Sequence, residues 1–153
     1  MMKVITYIIT GLLLMLPLCI HAGTSAYFTT TWKTNNSGSS NSTSITIPIR
    51  DSFTYAYQVD WNGDGDFDDS EEGITYTGDA THDYGAEGTY TINIMGLFPA
   101  INFGQPNTTD NKKILSIDNW GANKWQSMQT AFIGANKLSK LNKPFRELSN
   151  FRL

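Results

Sequence analysis

The chain is poor in the residues that most enzyme chemistry needs. Its 153 residues include one cysteine, Cys19, and two histidines, His21 and His82. That count excludes a Cys/His metal centre and an internal disulfide. Charged residues make up only 16% of the chain, and no lysine or arginine stands between Asp51 and Tyr90. There is no glycine-rich phosphate loop and no Gly-x-Ser-x-Gly elbow. Long apolar runs are absent but for one, Val4 to Ile20.

That run has the order of a secretory signal. Met1-Met-Lys3 is a short positive start, and small residues follow at Ala22-Gly23 and Thr24-Ser-Ala26. The reading is a signal peptide over 1–22, cleaved after Ala22. The alternative is a retained anchor, since the run is about the minimum that spans a bilayer, although Gly11 and Pro17 interrupt it. Leu18 is too large to precede a lipidated Cys19. Cleavage removes Cys19 and His21 and leaves no membrane span. The expected location is secreted or at the cell surface of a bacterium.

What remains is rich in Ser, Thr, Asn and Gly, with alternating apolar stretches that predict strands. Tyr27–Trp32 is the first candidate. Ile45, Ile47 and Ile49 share a face, and Pro48 places their strand at an edge or ends it. Phe53, Tyr55, Tyr57, Val59 and Trp61 occupy every second position, which predicts a strand with one buried aromatic face. Ile74–Tyr76, the stretch with Tyr90, Ile92 and Ile94, and Leu97–Phe103 complete the set. Several short strands at this spacing indicate an all-β sandwich over 23–104. The polar loop Asn35–Ser42 carries no core signal.

Residues 105–153 read differently. Gln105–Asn111 is the boundary candidate, and from Asn111 onward eight bases face two acids, Asp118 and Glu147. The basic residues are read as a solvated surface, and an exported chain has no nucleic-acid partner. Trp125, Met128 and Phe132 fall at i, i+3 and i+7, which predicts a helical stripe, with Gly134 as its stop. Ile114 to Leu138 and Ile117 to Leu141 are each 24 residues apart. Strand, helix and strand at that offset suggest one leucine-rich-type repeat.

The acidic turn offers the clearest chemistry. Asp60, Asn62, Asp64 and Gly65, then Asp66, Asp68 and Glu71, fit the calcium-loop template Asp-x-Asn-x-Asp-Gly-x₅-Glu. Alternate side chains of a tight loop converge on one point, and Gly65 permits the bend. The bland alternative is a hairpin turn that binds nothing, because Asp-Gly pairs make such turns unaided. Catalysis is not expected. His82 stands beside Asp83, which points to the opposite face of any strand, and it is read as structural. The acids cluster on an exposed turn where nothing raises a pKa.

Two motifs carry a family resemblance. Asp60-Trp-Asn-Gly-Asp-Gly65, His82-Asp-Tyr84, Gly88-Thr-Tyr90 and Ile92 resemble the turn and strand of a polycystic-kidney-disease (PKD) domain, over about residues 27–98. Trp120-Gly121, Trp125-Gln-Ser-Met128, Ala131-Phe132 and Leu138 are similar to the opening of BspA-like leucine-rich repeat surface proteins. The resemblance implies a PKD-type immunoglobulin-like sandwich followed by an incomplete leucine-rich-repeat-like α/β segment. It also implies a non-catalytic surface protein that adheres to or recognises protein or glycan partners. A solenoid needs about three repeats and this chain has roughly one, so it is read as a truncated product of a longer surface protein. The alternatives are a calcium-binding structural spacer and a carbohydrate-binding module, with Trp120 and Trp125 as the exposed rings of its binding surface.

Overall fold

A computed structural model describes residues 26–106 and 110–142. The signal peptide expected over 1–22 lies outside the described residues. Alternation decides most of the strands, and one more forms at Ala80–Asp83 where none was expected. The strands are β1 (Phe28–Lys33), β2 (Ser44–Ile47), β3 (Ala56–Asp60), β4 (Ala80–Asp83), β5 (Thr89–Leu97), β6 (Ile114–Trp120) and β7 (Lys140–Leu141). β2 stops before Pro48, which has no amide to donate. The one helical element among the described residues is a 3-10 turn, Asp110–Lys112. No helix there is long and apolar enough to cross a membrane.

The chain is mainly β. One sheet has five strands in the order β3-β5-β1-β6-β7, and a second pairs β2 with β4. Both contribute to one core. Phe28 and Trp32 of β1 meet Ile45 and Ile47 of β2, Tyr57 and Val59 of β3, Ile92 and Ile94 of β5, and Ile114 and Ile117 of β6. The aromatic face expected from Phe53 to Trp61 is buried from Tyr55 onward, with Phe53 partly buried. Removing those rings from water supplies the main drive for the layering, at roughly 25 cal/mol per Å² of apolar surface. The outer face of the large sheet is polar. Thr31 hydrogen-bonds Thr91 and Asp118, and Thr29 hydrogen-bonds Asn93, so the many threonines ladder across strands.

Four expectations are corrected. The stripe Trp125–Phe132 is not a helix. Its backbone closes successive three-residue turns, Ala131 N to Met128 O, Ala135 N to Phe132 O and Leu138 N to Ala135 O. Thr130 lies at φ 58°, outside the helical region, and Gln126 N and Phe103 N bond across to Pro99 O and Ala131 O. The apolar spacing is satisfied by turns laid against the 98–103 stretch, where Phe98, Ile101 and Phe103 are buried without forming a strand. Ile74–Tyr76 is reduced to a single bridge between Tyr76 and Tyr57. The basic residues are not all solvated, because Lys113 is fully buried beside Asp110.

The large sheet also runs across residue 104. β6 pairs with β1 along its length, from Phe28↔Trp120 to Trp32↔Ile114. β7 then joins β6 in parallel, pairing Ser116 with Lys140 and Ile117 with Leu141, 24 residues apart in both cases.

Candidate functional site

The acidic turn is built by the end of β3. Asp60 closes that strand and is fully buried, with Trp61 and Glu72 almost as deep. Gly63 (φ 76°) and Gly65 (φ 97°) adopt left-handed backbone, which glycine enters freely. Their amides turn back onto Asp60, Gly63 N donating to Oδ1 at 2.5 Å and Gly65 N to Oδ2 at 2.9 Å. Asn93 of β5 donates to the same Oδ2 at 2.8 Å. Asp60 is thereby fixed by three donors, none of them a cation.

The other acids of the turn divide into two groups. Asp60, Asp64 and Glu72 bring one ligand atom each to within 4.8 Å of one another. Asn62 Nδ2 donates to Asp64 and to Asp69, at 3.0 Å each. Asp66 and Asp68 are exposed and interact with each other. A side-chain hydrogen bond between the Asp66 and Asp68 carboxyls raises Asp66 above its usual range, against the pull of the Asp68 amide. Glu71, expected to close a calcium shell, turns away and meets His82 Nδ1 at 2.9 Å. Its place is taken by Glu72, whose Oε1 accepts the amides of Trp61 (2.9 Å) and Asn62 (3.3 Å). Glu72 Oε2 is buried and has no hydrogen-bond partner. Burial, the dominant cause, pushes the Glu72 carboxyl up; Asp60 and Asp69 add to this, against the pull of the two amides.

Above the turn lies a cleft of about 610 Å³, lined by Trp61, Asn62, Glu71, His82, Tyr84 and Tyr90 among others. His82 stacks on Trp61 with ring centroids 4.9 Å apart, and Tyr84 stacks on Tyr90 at 3.6 Å. Tyr84 Oη donates to Trp61 O; burial pushes that phenol well above its usual range.

Trp120 and Trp125 do not form an exposed platform. Trp120 is 8% exposed and donates its Nε1 to Asn142 O. Trp125 packs edge-on against Phe28 and Trp120. Trp120 also meets Phe132 of the turns that replace the expected helix, and Trp125 is partly buried against Phe28, Phe98 and Trp120. The rings that do border a cleft are Trp61, His82, Tyr84 and Tyr90; Tyr84 was signalled by the His-x-Tyr motif, and Tyr90 by Gly-x-Tyr and by its alternation with Ile92 and Ile94. No protein-family model matches this chain, and no curated protein or solved structure matches it either.

Proposed function

We propose that the chain is a non-catalytic, exported β module that recognises protein or glycan partners at a bacterial surface, as the N-terminal portion of a BspA-like protein with a PKD-type sandwich. The observation that carries this reading is the parallel β6–β7 ladder. Residues 24 apart pair side by side, as successive turns of a leucine-rich-type solenoid do. Leu141 at that edge is 58% exposed, so a further parallel strand has both hydrogen-bonding groups and an apolar side chain to meet. In this reading the sandwich seeds a repeat sheet and holds it away from the cell.

The test is solid-phase binding of the full chain to panels of extracellular-matrix proteins and polysaccharides. Saturable binding to one class is expected. Absence of binding to either panel, or turnover of a glycoside or ester substrate, overturns the reading. A glycan partner has one specific observation in its favour, the cleft bordered by Tyr84, Tyr90 and His82. Quenching of Trp61 fluorescence by a polysaccharide, lost in Tyr90→Ala, would distinguish it from a protein partner.

A further inference from the structure

We propose that Asp60, Asp64 and Glu72 together hold one calcium ion at the end of β3. This goes beyond the surface role and stands independently of it. The geometry is suited to one ion. Calcium takes oxygen ligands at about 2.3–2.6 Å, so two oxygens on opposite sides of it are about 4.8 Å apart. The three carboxylates lie within 4.8 Å of one another.

The second observation is independent of the clustering. Glu72 is 2% exposed, and its Oε2 has no partner. Its neighbour Asp60 is equally buried, and the donors on Asp60 and on Glu72 Oε1 are all neutral amides. A buried carboxylate oxygen left bare beside a second carboxylate is costly. The ion pairs among the described residues join other groups, and no lysine or arginine occurs from Asp51 to Tyr90. A cation held among the three carboxylates would offset the buried negative charge that no residue among those described neutralises. An all-oxygen donor set selects a hard ion over the softer transition metals. Water and loop oxygens complete the shell of six to eight. The ion ties the start of the turn, at Asp60 and Asp64, to its end at Glu72. Glu71 is outside the shell, paired with His82.

Calorimetric titration of the full chain with calcium chloride tests this. One site is expected, with a dissociation constant of about 10⁻⁴–10⁻³ M, the class of extracellular modules. Melting temperature should rise by about 5–10 °C at about 10 mM calcium relative to chelator. Glu72→Gln and, as a second variant at an exposed position, Asp64→Asn should each weaken binding at least tenfold. Glu71→Gln should bind as the parent does. Circular dichroism reports whether each variant is folded. Absence of heat and of any melting shift up to about 10 mM calcium overturns the proposal. Loss of binding in Glu71→Gln with retention in Glu72→Gln overturns the ligand set.

Discussion

Lys113 is fully buried, and its ammonium is held by four oxygens. It donates to Ser40 O (3.1 Å), Ser40 Oγ (2.6 Å), Asn41 O (2.7 Å) and Ser44 O (2.9 Å), and Asp110 lies 3.8 Å away. Asp110 in turn accepts the amides of Ser40 and Thr46. The pair therefore organises the serine-rich loop and seats β2 on the large sheet. Burial pushes the Lys113 amine below its usual range, partly offset by Asp110. Lys113→Met removes the cation and strands Asp110, so unfolding free energy should fall by about 3–5 kcal/mol in denaturant melts. A loss under about 1 kcal/mol, the range of an exposed pair, would count against the pair as an organiser. Gly63 is a second single-residue constraint. At φ 76° it is left-handed, and an added Cβ would sit 2.5 Å from Thr91 O. Gly63→Ala should cost roughly 1–3 kcal/mol from the backbone alone, whereas Gly73→Ala, with open space around it, should cost little. Neither Lys113 nor Glu72 was legible in the sequence. A lysine in Asn111-Lys-Lys-Ile114 reads as surface until the fold closes over it. The calcium template assumes a helix-flanked loop. This turn leaves a strand, and the change of entry angle sends Glu71 to His82 and Glu72 inward.

Most strands were legible, because period-2 burial marks them directly, and β1 carries it plainly. The 24-residue offset was legible too, and it reappears as the register of β6 against β7. The stretch between them was not. Apolar residues three or four apart fit a helix and a succession of three-residue turns equally well, and nothing about the residue type of Thr130 announces its positive φ. Asp118 ties β7 to the sheet through the Lys140 side chain. Asp118 accepts hydrogen bonds from Lys140 (2.8 Å), Thr31 (2.7 Å) and Ser116 (2.8 Å). Burial alone would raise its carboxyl; the hydrogen bonds from Lys140, Thr31 and Ser116 and the Lys140 charge outweigh burial and hold it below the usual range. A folded value below the unfolded one gives a stabilisation complete above about pH 4 and lost as pH falls through the folded value. Exchange protection of the Asn142 amide, which bonds Ile117 O at 2.9 Å, should therefore fall below pH 4. Asp118→Asn should show weakened protection already at neutral pH and a flatter acid dependence. Equal acid profiles for the two proteins would remove Asp118 from that role.

At the scale of the whole molecule, residues up to 104 either fold alone or need the strands contributed by residues 110–142. The change of composition and charge near Gln105 suggests two units, and the alternating pattern alone gives no reason for the first to need the second. Register supplies one. β1 lies between β5 and β6, so a chain ending at 104 leaves every β6-facing amide and carbonyl of β1 without its strand partner. It also uncovers Phe28 and Trp32, which pack with Ile114, Ile117 and Trp120 in the same core, and it removes the Lys113 and Asp110 that seat the serine loop. A protein ending at residue 104 should accordingly lose its near-ultraviolet dichroism, bind an apolar dye and melt without a sharp transition, while one ending at residue 142 should melt cooperatively. A sharp, cooperative melt of the shorter protein would place a domain boundary at residue 104 and reduce β6 to an added edge strand. The expected failure of the shorter protein would mean that the sheet, with its parallel edge at β7, is the smallest folding unit, and that the acidic turn at the far side of β3 is held in shape by strands on both sides of that boundary.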